Sequence, residues 1–179
     1  MKKLLFVVGL FPFVFLQCKD ATSPADQGLD SQKGVVFNLS NPTKTQSQTP
    51  RLFSNASALY MSWVTFKDDI DYLHYSSYTS DTWSTPEVIA WGDTWFTNWA
   101  DFPAIAQKNG SLLTSYLQKS DQGAYSYDVM LNYKNRDSLS WKKNFILHTD
   151  GTKTEHGFVS MIPANNQDEF FVTWLDGRN

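Results

Sequence analysis

Leu59-Tyr60-Met61-Ser62-Trp63-Val64, Leu112-Leu113-Thr114-Ser115-Tyr116-Leu117 and Phe170-Phe171-Val172-Thr173-Trp174-Leu175 read as three versions of one strand. Each sets Ser or Thr directly before a large aromatic inside an apolar run. The aromatics Trp63, Tyr116 and Trp174 recur at intervals of roughly 50–60 residues. A polar turn precedes each run: Ser54-Asn55-Ala56-Ser57, Lys108-Asn109-Gly110-Ser111 and Asn165-Asn166-Gln167-Asp168. Another short apolar run precedes each turn, at Arg51-Leu52-Phe53, Pro103-Ala104-Ile105-Ala106 and Phe158-Val159-Ser160-Met161. Downstream, Tyr75…Trp83 recurs as Tyr133…Trp141 with the same spacing.

Short apolar runs bounded by turn residues at this density are an all-β signature. No stretch holds a capped helical period. Four strands per repeat make a unit the size of a propeller blade. One blade cannot bury both of its faces and needs neighbours, which explains the repetition physically. The expected fold is therefore all-β, a β-propeller, with residues 50–179 holding about two and a half blades. A β-sandwich with fortuitous similarity is the alternative. The third repeat reaches Asn179 just after its second strand, so the propeller is expected to be truncated.

The start of the chain has a different texture. Lys2 and Lys3 precede the apolar segment Leu4–Leu16, which is shorter than the roughly 20 residues of a membrane span. Cys18 follows it and is the only cysteine, so no intramolecular disulfide can form. A lone Cys at this place resembles a bacterial lipobox, with Gln17 where Gly or Ala is usual. Lys19-Asp20 resembles the tag that follows the Cys in surface lipoproteins. The resemblance implies a lipoprotein signal peptide over 1–18 and acylation of Cys18. It further implies export to the bacterial outer membrane or cell surface, with a lipid anchor in the membrane. An ordinary secretory signal with an incidental Cys is the alternative. Residues 19–49 are rich in Ser, Thr, Gln, Asp, Lys and Pro and read as a flexible tether.

A net charge of -3 supplies no basic field for nucleic acid. Seven Trp, eight Tyr and thirteen Phe suit strands and sugar-stacking surfaces. No phosphate-binding glycine loop and no nucleophile elbow occurs, and no cofactor is expected. His74, His148 and His156 are too scattered for a metal motif, so no metal is expected. Asp68-Asp69-Asp71 reads as a solvated turn rather than a calcium loop.

The run from Tyr75-Ser76 to Trp83-Ser84-Thr85-Pro86 resembles the repeated Ser-x-Asp-x-Gly-x-Thr-Trp loop of sialidases. Ser76, Thr82 and Trp83 match it, while Tyr78 and Ser80 replace the Asp and Gly. At Trp141 the turn Asn135-Arg136-Asp137-Ser138 survives. Asn98–Ala104, Asp150–Thr152, Glu155–Phe158 and Trp174–Asn179 also resemble segments of sialidase-like surface proteins. The resemblance covers 50–179. It implies a six-bladed propeller with its site at the ring mouth, near the start of each innermost strand. It implies an exo-α-sialidase-like glycoside hydrolase acting on a glycan or glycoconjugate with a terminal acidic sugar. The alternatives are a non-catalytic propeller lipoprotein that binds a glycan or protein partner, and a subunit of a surface complex.

Sialoside cleavage needs an arginine cluster for the carboxylate, a proton donor, and a Tyr activated by a Glu. The resemblance places the first such arginine two residues before Pro50, where Gln48 stands; Arg51 would face the other side of the strand. Arg178 is the better substrate-binding candidate, or else it ties Asp176 in a turn. Asp101 is the candidate catalytic acid, because it precedes an inner strand and is flanked by the desolvating rings of Trp99 and Phe102. The alternative is an Asp that caps a turn before Pro103. Glu155 and His156 hold the matching place one repeat later and could supply a base or a ligand contact. Trp91, Trp95 and Trp99 are spaced to align on one face of a short helix. Exposed, Trp95 and Trp99 would stack on sugar rings; burial of at least two of the three is the expectation.

Overall fold

The computed structural model describes residues 36–165 and 168–178. Cys18 and the expected signal segment lie outside the described residues. Among the described residues the chain is all-β, with no helix. The strands all belong to the unit Ser40–Asn179. Ahead of it, Val36 and Phe37 are irregular and exposed.

Strands β1 (Gln48–Ser54), β2 (Leu59–Lys67), β3 (Ile70–Thr79), β4 (Thr82–Trp83) and β5 (Glu87–Gly92) form an antiparallel sheet in which β3 pairs with both β4 and β5. β6 (Ile105–Lys108), β7 (Ser111–Lys119), β8 (Tyr127–Lys134) and β9 (Lys142–Phe145) form a second, four-stranded sheet. β10 (His156–Pro163) and β11 (Phe170–Asp176) form a hairpin. The sheets are open, and among the described residues they close no ring.

Local chemistry sets these strands. Asp68-Asp69, Ser80-Asp81 and Asn109-Gly110 each hold two consecutive positive φ angles between paired strands. That is the two-residue turn whose twist matches a hairpin. The three quoted runs lie in β2, β7 and β11, each the second strand of its sheet. The repeat extends to an irregularity. β1 shifts register opposite Trp63, with Thr49 at positive φ. β10 shifts register opposite Trp174, with Phe158 at positive φ. Neither a β-branched Thr nor a Phe adopts that backbone without support, so both are built bulges rather than slips.

The second sheet is covered on both faces. Alternate residues Leu113, Leu117, Val129 and Leu131 pack with Met161 and Val172 of the hairpin. The opposite face presents Tyr116 and Met130 to Val64, Leu73 and Ile89 of the first sheet. β7 is accordingly buried at nearly every position, where a one-sided strand would alternate.

Two expectations need correction. Trp91, Trp95 and Trp99 lie on no helix. Trp91 belongs to β5 opposite Tyr72, and the next residues pair with the end of β7 through Lys119 N–H to Thr94 O and Phe96 N–H to Leu117 O. Backbone groups satisfied across the sheet seam are not available to a helix. Only Trp95 of the three is buried, stacked on Tyr116 at 4.0 Å, while Trp91 and Trp99 are exposed.

A polar clasp joins the first two sheets. Glu87 of β5 accepts from Trp141 Nε1 (2.7 Å), Tyr75 Oη (3.0 Å) and Lys134 Nζ (3.0 Å). Burial pushes the Glu87 carboxyl up, but the bonds from Trp141, Lys134 and Tyr75 together outweigh it and hold the group below its ordinary range. A depressed carboxyl stabilises the fold above its unfolded value of about 4.3 and loses that contribution as pH falls through the folded value. Glu87→Gln should therefore lower the melting temperature at pH 7. The gap between variant and wild type should close on acidification to about pH 3, measured by melting curves across pH.

Candidate functional site

The candidate acid, Asp101, sits on the connection between the first two sheets and reaches the hairpin. Its Oδ1 accepts the backbone N–H of Phe158, the strained residue of the β10 bulge. Its Oδ2 accepts from Asn98 Nδ2 at 3.3 Å. The turn itself is capped by Asn98, whose Oδ1 takes the N–H groups of Ala100 (2.8 Å) and Asp101 (2.9 Å). Asp101 thus latches a bulge across a seam.

Glu155 lies nearby and accepts from Tyr127 Oη at 2.6 Å. Tyr127 is buried at the start of β8, stacked on Phe96 at 4.1 Å. A tyrosine paired with a glutamate is the arrangement a sialidase nucleophile requires, and nothing in the local sequence marked Tyr127 for it. The electrostatics run the other way. Burial first, and then the carboxylates of Glu155 and Asp101, push the Tyr127 phenol well above its ordinary range. The bond fastens β8 to the Glu155 segment. Gly157 fits between them: a Cβ there would come within 2.9 Å of the Tyr127 ring and 3.2 Å of Asp101 Oδ1.

His156, Asp176 and Arg178 assemble one step further along the same seam. Arg178 forks onto Asp176, with Nε at 2.8 and 2.9 Å and Nη2 at 2.5 Å. Its Nη1 lies 3.5 Å from Asp150 Oδ2. The Nε–Nη2 edge of the guanidinium is thus taken up by Asp176 in the turn, the alternative that the sequence offered for Arg178. His156 is fully buried, with its ring stacked on His148 at 4.0 Å. The two histidines are therefore not scattered, which corrects the expectation from sequence. A loop brings His148 back over β10, and spacing along the chain does not register that return.

Three carboxylates surround the stacked pair. Asp128 Oδ1 lies 3.4 Å from His156 Nδ1 and 4.0 Å from His148 Nε2. Asp150 Oδ2 lies 3.6 Å from both His148 Nδ1 and His156 Nε2. Asp176 Oδ1 lies 3.8 Å from His156 Nε2. Burial, reinforced by His156, pushes the His148 imidazole below its ordinary range; Asp128, Asp150 and Asp176 oppose this without reversing it. Hydrogen bonds from the Thr152 hydroxyl and N–H hold the Asp150 carboxyl well below its ordinary range. Arg178 holds Asp176 below as well.

Trp99 stands apart from these pairs, 88% exposed at the tip of the Asn98 turn. Phe102 on the same connection and Phe158, held by Asp101, are also exposed. The recess behind them, lined by Trp95, Phe96, Asp101, Ser115 and Tyr116, has a volume of about 20 Å³. That admits one water and excludes a sugar ring. A ligand here would lie on the aromatic surface, not in a pocket.

No family model, no curated protein and no solved structure matches this chain.

Asp101→Ala should lower stability by about 1–2 kcal/mol, because the Phe158 N–H and the Asn98 amide lose a charged acceptor. Asp101→Asn keeps an acceptor oxygen and should cost less. Denaturant titration of both variants checks the order.

Proposed function

We propose that this chain is a glycan-binding surface module of propeller type, exported and lipid-anchored through Cys18, that holds its ligand without cleaving it. The observation that carries the reading is Trp99. A tryptophan left 88% exposed on a turn fixed by two backbone bonds to Asn98 is a rigid, flat, apolar face presented to solvent. Such a face suits the apolar side of a sugar ring.

The propeller part of the reading rests on the repetition of the sheets. Equivalent strands carry equivalent aromatics, and bulges recur opposite Trp63 and Trp174. The outer face of the hairpin leaves Ile162, Phe171 and Leu175 exposed, the kind of apolar face that the second sheet covers on both sides. Binding is favoured over hydrolysis because the candidate chemical groups are already engaged. Asp101 holds Phe158, Arg178 holds Asp176, and Tyr127 is bonded to Glu155. The carboxylate of Asp101 also lies against Phe158 of the aromatic surface, while the guanidinium of Arg178 is held on Asp176. The negative charge there disfavours a sialic acid, so the ligand that fits is a neutral sugar.

Binding and turnover on a panel of neutral and sialylated glycans test this. The wild type should bind neutral glycans and release no sugar. Trp99→Ala should weaken binding roughly three- to tenfold without moving the melting temperature, since the ring is exposed. Unchanged binding by Trp99→Ala, or turnover of a sialoside, would overturn the reading. The anchor is tested separately: Cys18→Ser should move the protein out of the membrane fraction and abolish incorporation of a lipid label.

A further inference from the structure

We propose that Asp150, His156 and Asp176 form a site for one divalent transition-metal ion, with zinc as the type case, and that this ion fastens the β10–β11 hairpin to the second sheet.

The acidic cluster alone would not carry this; the fully buried imidazole does. His156 Nδ1 lies 3.3 Å from the backbone carbonyl of Tyr127. A carbonyl can only accept, so Nδ1 is the donor there and Nε2 is the ring nitrogen left to face the carboxylates. Nε2 has no hydrogen-bond partner and no contact with solvent. It faces Asp150 Oδ2 at 3.6 Å and Asp176 Oδ1 at 3.8 Å, both beyond hydrogen-bond reach. Asp150 Oδ2 likewise lacks a hydrogen-bond partner. Two buried polar atoms without hydrogen-bond partners, His156 Nε2 and Asp150 Oδ2, thus face each other beside Asp176 Oδ1, an arrangement that costs stability unless a cation sits there.

Charge and donor type name the cation. Asp128, Asp150 and Asp176 bring three negative charges, and Arg178 matches one of them from the exposed side. A dication would neutralise the remaining two. Imidazole nitrogens with carboxylate oxygens suit zinc and its neighbours, whereas calcium and magnesium take oxygen shells. Donors around tetrahedral zinc sit roughly 3.3 Å apart at ordinary bond lengths, so the observed separations need only a small contraction. Asp150 Oδ2, His156 Nε2 and Asp176 Oδ1 lie within 4.8 Å of one another. His148, stacked on His156 at 4.0 Å, packs beside these donors, and the fourth position is open to water. The bond from His156 Nδ1 to the Tyr127 carbonyl is the outer contact that fixes a ligating ring.

The ligands come from the connecting loop, the start of β10 and the end of β11, while Asp128 and the Tyr127 carbonyl come from β8. An ion here would clamp the seam, and its loss would loosen the hairpin first. The inference stands whether or not the surface binds a glycan.

The test uses the full chain, stripped with a chelator and titrated with zinc chloride by calorimetry, with metal content checked by mass spectrometry. One zinc per chain should bind. The melting temperature should rise by roughly 5–10 °C at a hundredfold excess of free zinc over Kd. Cobalt in its place should show the visible bands of a tetrahedral site. Asp150→Asn keeps the Oδ1 contact to Thr152 and should still fold, yet bind zinc at least roughly tenfold more weakly. His156→Gln should abolish binding, and His74→Gln, outside the cluster, should leave it intact. No stoichiometric uptake by the wild type would overturn the proposal. So would equal affinity in Asp150→Asn, or zinc binding with an unmoved melting temperature.

Discussion

A thin β-sheet with apolar residues on both faces is stable only when something covers each face, and that constraint governs this chain. β7 is buried along nearly its whole length because the first sheet closes on one side and the hairpin on the other. The strands are short and the turns are ordinary. What the fold depends on is therefore the two seams between consecutive sheets, where the apolar area is removed from water.

Each seam also carries a buried polar device, and the two differ in how well they are satisfied. At the first, Glu87 collects donors from Tyr75, Lys134 and Trp141, so its charge is met on several sides. At the second, the equivalent position of need is held by His156 among carboxylates, and one ring nitrogen is left with no partner. A buried polar network that is complete rigidifies a core, while an incomplete one costs stability. A cation at His156 would make the second seam the counterpart of the first. The β10 bulge serves the same purpose: Phe158 takes an unusual backbone so that its N–H can meet Asp101 across the seam.

Much of the fold was legible in the sequence. Alternation and turn residues located the strands of the three repeats, because a residue's face in a strand follows from its parity. The dipeptide Asn109-Gly110 announced its turn for the same local reason. The tryptophans misled, since positions four apart share a face in a helix and also in an extended chain. Backbone pairing between the segment at Thr94–Phe96 and β7 decided between them, and that pairing is not local. The candidate site was legible only in part. Asp101, Glu155, His156, Asp176 and Arg178 lie along one seam, though only Glu155 and His156 hold a position that matches Asp101 in the repeat. Their partners Tyr127, Asp128, His148 and Asp150 come from β8 and a returning loop, and no spacing along the chain encodes that meeting. The roles shifted with the partners: groups that read as chemistry in isolation turn out to be tied to one another.

The central claim is that the second seam is built around a cation. The most direct measurement is anomalous diffraction at the zinc edge from crystals of the full chain grown with zinc. The account predicts one strong peak within bonding distance, about 2.0–2.2 Å, of His156 Nε2 and of oxygens from Asp150 and Asp176. A map with no peak at His156, or with zinc only on exposed side chains, would contradict it.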